Sequence, residues 1–226
     1  MVESNYSKNS IQFDSIGALS SFEIPPSAPF LILTGDIGRL IDYDACLAFF
    51  SKITIQFEKV LLVLGNHGFY SHLFASGLKM VQKLEEEPVL NGKLILLYPK
   101  RYDVPGSSVS ILGCTLWSKI AEESKSVVQM RQVAMISVEN NTSVNRTSRR
   151  EIPVVTHNAP SVQETASPEQ AGNAWSSAFA TDVIWRFSIR IVSNQRGYVL
   201  PDSAEKKSNA RDDKKVYDVR RVVHLR

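Results

Sequence analysis

Short, mostly apolar runs alternate with longer amphipathic segments over the first half of the chain. The runs at 30–34 and 59–64 are typical of strands that are buried on both faces of a sheet. Apolar residues recur at helical spacing over 40–57 and 73–86, and Pro88 ends the second of these segments. The order strand, helix, strand, helix predicts crossover units and an α/β fold with a partly parallel sheet.

The remainder of the chain predicts a less regular arrangement. Further strands are predicted at 11–13, 94–98, 109–112, 152–156, 189–193 and 198–200, and a further helix is predicted over 175–187. Residues 1–10 are polar and predict a disordered lead-in, whereas 124–150 predict a flexible connector. Residues 201–226 predict a charged, mobile, basic tail. The folded domain is therefore expected to span 11–200.

Composition places the chain among soluble globular proteins. Its 226 residues are 43% hydrophobic and 22% charged, which is enough apolar content for the core of one domain. No segment approaches the ~20 apolar residues that cross a bilayer, and the polar N-terminus lacks the apolar core of a signal peptide. Cys46 and Cys114 are far apart in sequence, which favours a reducing compartment. The expectation is a cytoplasmic protein with no membrane partner.

The net charge of +3 is unevenly distributed along the chain. From Trp185 onward there are 11 Lys and Arg residues against 5 Asp and Glu residues. No basic patch interleaved with aromatic residues accompanies this excess, and no nucleic-acid-binding motif is present, so nucleic acid is not an expected partner. A solvated basic end is the simpler interpretation.

Three residues that can bind metal ions stand at the ends of predicted strands, namely Asp36, Asn66 and His157. Taken alone, a Gly-Asp pair after a strand is often a turn and a helix N-cap, and a lone His is often a hydrogen-bonded structural residue. Strand ends in an open α/β sheet meet at one edge, so the three together predict a site for a hard or borderline divalent ion. His67, next to Asn66, is predicted to act as a general acid rather than as a ligand.

These residues lie in motifs that resemble those of the calcineurin-like metallophosphoesterases. Gly35-Asp36 resembles the family's Gly-Asp motif, Gly65-Asn66-His67 its Gly-Asn-His motif, and Thr156-His157 its strand-end His motif. The segments 113–118, 172–177 and 193–198 resemble a fungal-type Ser/Thr-phosphatase-like branch of this family. The resemblance implies an αββα sandwich whose dinuclear metal site hydrolyses phosphoesters.

The chain departs from the family pattern at both ends of the domain. The family's opening Asp-x-His motif is missing from 11–16, where Asp14 is the one candidate for a remnant ligand. The closing Gly-His-x-His motif is missing as well, since no His lies between His157 and His224. Gly68 stands where an acidic residue usually follows Asn-His. The expectation is therefore an incomplete αββα sandwich with mixed sheets and a degenerate site, in which one of the two metal positions is occupied.

Two functions remain open at this point. The first is a metal-dependent phosphoester hydrolase with impaired activity, in which Mn, Fe or Zn is held by Asp36, Asn66 and His157 together with Asp14. Arg196 either contacts the substrate phosphate or has a structural role at a strand end. The second is a non-catalytic, truncated or pseudoenzyme form that acts as a binding or interaction protein. The sequence identifies neither the phosphoester substrate nor the oligomeric state.

Overall fold

Two β-sheets, with helices packed against one of them, form the part of the chain that the computed structural model describes. The described residues are 4–12, 16–69, 73–98, 100–117, 151–161, 176–182, 195–198 and 218–225. The strands are β1 Ser4–Gln12, β2 Phe30–Thr34, β3 Lys59–Val63, β4 Leu94–Leu96, β5 Lys100–Asp103, β6 Ser110–Cys114, β7 Val154–Thr156, β8 Gln195–Tyr198 and β9 Val222–Leu225. The helices are α1 Ile16–Ser21, α2 Tyr43–Gln56, α3 Phe74–Glu85 and α4 Ser176–Phe179, with 3₁₀ turns at Asn66–Phe69 and Pro88–Leu90.

The larger sheet has six strands in the order β4-β3-β2-β1-β8, with β9 also paired to β1. Every pairing in it is parallel except that of β9 with β1. Parallel neighbours need a crossover, and α2 supplies it between β2 and β3 while α3 supplies it between β3 and β4. The carboxyl ends of β2, β3 and β4 therefore lie at the same edge of the sheet.

The smaller sheet has three strands in the order β5-β6-β7. Strand β5 pairs antiparallel with β6, and β6 pairs parallel with β7. The α/β class with a mixed sheet, predicted from the sequence, is confirmed by these pairings. Among the described residues the layers run helices, six-stranded sheet, three-stranded sheet.

Successive side chains of β2 belong alternately to two apolar cores, and this alternation explains how the layers pack. Leu31 and Leu33 of β2 belong to the core that includes Ile53 of α2, whereas Ile32 belongs to a second core. That second core also contains Ile111 of β6, so it fills the space between the two sheets. Successive side chains of a strand point to opposite faces, and both faces of β2 are covered. The two sheets are thereby held face to face.

Two predictions about the chain ends were wrong. Ser4–Ser10, predicted to be disordered, belongs to β1, which pairs with β2 from Tyr6↔Phe30 to Asn9↔Leu33. Part of the predicted mobile tail forms β9, which pairs antiparallel with β1. Ladder hydrogen bonds join backbone groups, so a polar segment can occupy a sheet interior when both neighbours are strands. The predicted connector at 124–150 and the tail over 201–217 lie outside the described residues.

The other predicted elements agree in part with the structure. The helices expected over 40–57 and 73–86 are α2 and α3, and the helix expected over 175–187 is described only as the four-residue α4. Strand β5 was missed because its sequence, Lys-Arg-Tyr-Asp, has no apolar run, and it forms by pairing with β6. The predicted strand at 189–193 lies outside the described residues. No helix in the described part of the chain is both long and apolar enough to cross a membrane.

The packing of α2 on the sheet predicts different costs for two isoleucines of the same helix. Ile53 is 0% exposed and Ile55 is 82% exposed. We expect Ile53→Ala to lower the free energy of unfolding by about 2–5 kcal/mol, because it leaves a cavity in the core. The matched control, Ile55→Ala, is expected to change it by less than about 0.5 kcal/mol, since alanine also favours helix. Equal losses in urea denaturation would contradict this packing.

Candidate metal centre

The three strand-end donors predicted from the sequence are brought together in the structure. Asp36 follows β2, Asn66 follows β3, and His157 follows β7 of the other sheet. The exposed fractions are 6% for Asp36 and 9% for Asn66, and the His157 side chain is 12% exposed. The donors therefore meet where the edges of the two sheets come together, in a largely buried setting.

Distances between the donor atoms suit a single divalent ion. His157 Nε2 lies 3.1 Å from Asn66 Oδ1 and 3.5 Å from Asp36 Oδ2. Ligand atoms bound to one ion at about 2.1 Å in tetrahedral or octahedral geometry are about 3.0–3.4 Å apart. A carboxylate, an amide oxygen and an imidazole nitrogen form an acceptable donor set for Mn, Fe or Zn. The residues present thus fit one metal ion.

A backbone carbonyl orients the imidazole of His157. Nδ1 lies 3.0 Å from Thr34 O, and a carbonyl oxygen only accepts, so Nδ1 must carry the proton and donate it. In the neutral ring Nε2 then holds the lone pair, and it faces Asp36 and Asn66. Metal-binding histidines commonly have their second nitrogen held in this way, which fixes the tautomer and the ring plane.

The Asp36 carboxylate is fixed by the turn that contains Asn66. Asp36 has a φ of 52°, in the left-handed region that non-glycine residues seldom adopt. Its Oδ1 accepts a hydrogen bond of 3.0 Å from the backbone N–H of His67. Oδ1 is therefore hydrogen-bonded to the 3₁₀ turn, while Oδ2 faces His157. Backbone strain of this kind persists where the surroundings overdetermine it, as at functional sites.

The glycines before two of the donors are required by close approach. A Cβ added to Gly35, whose φ is +95°, would stand 2.0 Å from His157 Nδ1. A Cβ added to Gly65 would stand 2.0 Å from Asp36 Oδ1 and 2.6 Å from Asp36 N. No larger residue fits either position without moving a donor. Steric contacts therefore require glycine directly before Asp36 and directly before Asn66 in this chain.

Two polar residues that the sequence analysis did not select as site residues tie the strand ends together. Thr115 Oγ1, fully buried, donates to Leu64 O at 2.9 Å, which links the end of β6 to the end of β3. Asn158 donates from its backbone N–H to Thr115 O and from Nδ2 to Leu116 O, each at 3.1 Å. The signal available was that both follow strand ends, as the donors do. The side chain of Asn158 thus bonds to the backbone that follows β6.

The structure describes the remaining predicted site residues only in part. His67 lies in the 3₁₀ turn Asn66–Phe69, with its backbone bonded to Asp36 and its side chain half-buried. Asp14 lies outside the described residues. Arg196 lies on β8, but its side chain is not described. In the described part of the chain, no group of three or more His, Cys, Asp and Glu residues could hold a metal. The cluster above has two such residues, with Asn66 as its third donor.

Neither described cysteine is suited to act as a thiolate ligand. Burial, helped by the Asp42 carboxylate, raises the pKa of the Cys46 thiol to about 11. Cys46 Sγ donates to Arg39 O at 3.4 Å. Burial also raises the pKa of the Cys114 thiol. Both thiols are therefore protonated near neutral pH, and only the thiolate binds metals well.

Comparisons with known proteins identify a partial relative and a structural likeness. No family model matches the chain. "Uncharacterized protein L509" of Acanthamoeba polyphaga mimivirus is 33% identical over an alignment of 106 residues that covers 43% of this chain. The match spans only 35% of the length of that protein.

Among solved structures, the phosphopantetheinyl hydrolase of Mycobacterium tuberculosis aligns over 80% of this chain and 77% of its own, with 13% identity and a TM-score of 0.46. A likeness at that TM-score carries no argument about activity. Membership of the metallophosphoesterase family, including the fungal-type branch, therefore stays a prediction from the motifs.

The close contact at Gly35 can be tested by comparison with a second glycine that also has a positive φ. Gly92 has a φ of +62° and nothing within 4 Å of an added Cβ. Both alanine variants incur the cost of the left-handed region, about 1–2 kcal/mol. Gly35→Ala must also displace His157, so we expect it to lose about 1–3 kcal/mol more than Gly92→Ala in urea denaturation. Indistinguishable losses would contradict the contact with His157.

Proposed function

We propose that the chain is a divalent-metal-dependent phosphoester hydrolase whose activity is lowered by an incomplete set of ligands. The observation that supports this most is the convergence of Asp36 Oδ2 and Asn66 Oδ1 on His157 Nε2, at 3.5 and 3.1 Å. The assignment of phosphoester hydrolysis comes from the resemblance of the motifs. The substrate itself stays open.

Charge at this cluster favours a phosphate group. A bound divalent ion would supply Lewis-acid stabilisation of negative charge on a phosphoryl oxygen. Asp36 contributes one negative charge, while Asn66 and a neutral His157 contribute none. With a bound divalent ion the net charge of the cluster would be positive, so an anionic phosphoester would be attracted into this largely buried cluster. Positions left free by the three residues are available to water and to substrate.

His67 is the residue we assign to proton transfer. It directly follows the donor Asn66, and its backbone N–H is bonded to Asp36, so the residue is anchored to the cluster. Its side chain is half-buried rather than enclosed. In this proposal the oxygen of a water molecule forms the new bond to phosphorus, and the His67 imidazolium donates a proton to the leaving-group oxygen as the old P–O bond breaks. His157 cannot serve in that role because both of its ring nitrogens face partners.

A non-catalytic binding protein is the second candidate, and a specific observation favours it. The 3.1 Å between His157 Nε2 and Asn66 Oδ1 is also hydrogen-bonding distance, so when both ring nitrogens carry a proton Nε2 donates to Oδ1 and the cluster holds itself together without an ion. Among the described residues, no cluster of three His, Cys, Asp or Glu offers a second metal position. Efficient phosphoester hydrolysis commonly uses two ions, about 3.5–4 Å apart.

Hydrolysis of an aryl phosphate tests the first proposal. We expect the wild-type protein to hydrolyse p-nitrophenyl phosphate when Mn²⁺ is added, and Asp36→Asn to lower the rate at least about 100-fold. The matched control is Asp44→Asn, because Asp44 is an exposed carboxylate in the first turn of α2. That variant should retain the wild-type rate. Hydrolysis that survives Asp36→Asn unchanged would show that the activity belongs elsewhere.

Metal binding can be measured separately from turnover. At 100 times its dissociation constant, Mn²⁺ should stabilise the wild-type protein by about 2.7 kcal/mol in thermal unfolding. His157→Asn keeps an amide donor near the position of Nδ1 and removes Nε2, so we expect this stabilisation to disappear. His224→Asn, at an exposed position of β9, should retain it. Mn²⁺ stabilisation without hydrolysis would favour the second candidate, and equal stabilisation of both variants would refute the site.

A further inference from the structure

Thr115 lies between the two segments that carry Asn66 and His157. It directly follows β6 and is 0% exposed. Its Oγ1 donates to Leu64 O at 2.9 Å, and its carbonyl oxygen accepts the backbone N–H of Asn158 at 3.1 Å. Leu64 precedes Asn66 by two residues, and Asn158 directly follows His157. Thr115 is therefore bonded to the segment of one donor through its side chain and to the segment of another through its backbone.

The residues that Thr115 joins lie just beyond the strands. Strand β3 ends at Val63, β6 at Cys114 and β7 at Thr156. Ladder hydrogen bonds fix the relative positions of paired strands, and they stop at these residues. Strands β3 and β6 also belong to different sheets. The bond from the Thr115 hydroxyl to Leu64 O thus fixes a spacing between the sheets that strand pairing leaves free.

Two hydrogen bonds transmit the position of Thr115 to His157. Asn158 donates its backbone N–H to Thr115 O and its Nδ2 to Leu116 O, each at 3.1 Å. Asn158 is 6% exposed, and Leu116 has a φ of 53°. Because Asn158 adjoins His157 in the chain, a movement of Thr115 relative to Leu64 displaces the backbone of His157 relative to the end of β3.

The same hydroxyl also satisfies a buried carbonyl group. Leu64 is 5% exposed, and a buried carbonyl that loses its donor lowers the stability of the fold. Removal of the hydroxyl is therefore expected to destabilise the protein whatever it does to the donors. The metal affinity of the folded protein separates the two effects, since it depends on donor geometry and not on the free energy of unfolding.

We propose that the Thr115 hydroxyl is a positioning group of the metal centre, which sets the separation of Asn66 Oδ1 from His157 Nε2 by joining the two sheets. This inference rests on the metal binding of the proposed function. The two donor atoms are 3.1 Å apart, and donors must be held within about 0.5 Å of their productive geometry. Removing a group that holds metal ligands in place commonly lowers the metal affinity about 10–100-fold.

Titration of Thr115 variants with Mn²⁺ tests the inference. Thr115→Val keeps the shape of the side chain and removes the hydroxyl, so we expect it to raise the Mn²⁺ dissociation constant at least about tenfold. Thr115→Ser keeps the hydroxyl and should bind Mn²⁺ within about threefold of the wild-type protein. Thr115→Cys has a weak S–H donor and should lie between the two. Isothermal titration measures the affinity, circular dichroism confirms folding, and Thr115→Cys replaces Thr115→Val if the latter does not fold.

Thr54→Val is the matched control. Thr54 lies in α2, is 2% exposed and donates from Oγ1 to Phe50 O at 2.8 Å, so this variant also removes a buried hydroxyl bonded to a backbone carbonyl. Both valine variants should lower the urea midpoint of unfolding, but Thr54→Val should retain the Mn²⁺ affinity of the wild-type protein.

The outcomes distinguish this inference from the hydrolase proposal. An affinity that depends on the Thr115 hydroxyl, in a protein that hydrolyses no aryl phosphate, supports the inference and refutes the hydrolase alone. Equal Mn²⁺ affinity of the wild-type protein and Thr115→Val, or Thr115→Cys in its place, overturns the inference. So do an equal loss of affinity in Thr54→Val, failure of Thr115→Ser to retain binding, and absence of Mn²⁺ binding by the wild-type protein.

Discussion

The contact on which the site depends is the imidazole of His157 spanning the two sheets. His157 belongs to the end of β7 in the three-stranded sheet, yet Nδ1 is bonded to Thr34 O on β2 of the six-stranded sheet. Nε2 meets Asn66, which follows β3. The ring occupies the space that a side chain at Gly35 would need. The tautomer of His157 and the geometry of the donors therefore depend on how the two sheets pack, and a change in that packing would disturb both.

The cluster combines several features that each oppose folding. It contains a 6%-exposed carboxylate at Asp36, a left-handed φ of 52° at the same residue, and another of 53° at Leu116. Burying a charge is costly unless it is hydrogen-bonded or paired. The N–H of His67 provides part of that compensation. A divalent ion would provide the rest, so the proposed function also explains why a folded chain keeps so strained an arrangement.

The sequence predicted those features that arise from local pattern. Apolar runs and helical spacing were sufficient to predict β2, β3, α2 and α3. The positions of Asp36, Asn66 and His157 at strand ends were sufficient to predict that these residues lie close together. Most of β1 and all of β5 were missed, because the stability of these strands comes from backbone pairing with neighbours and not from an apolar pattern. The roles of Thr115 and Asn158 depend on contacts between segments more than 40 residues apart in sequence. No single-sequence periodicity encodes such contacts.

Crystals soaked in Mn²⁺ and measured at the manganese absorption edge test the central claim most directly. The account predicts an anomalous difference peak about 2.1–2.3 Å from Asp36 Oδ2, Asn66 Oδ1 and His157 Nε2, with Nδ1 still bonded to Thr34 O. Its intensity should vanish in His157→Asn crystals prepared in the same way. A peak at another place in the chain, or no peak at these three atoms at saturating Mn²⁺, would contradict the account.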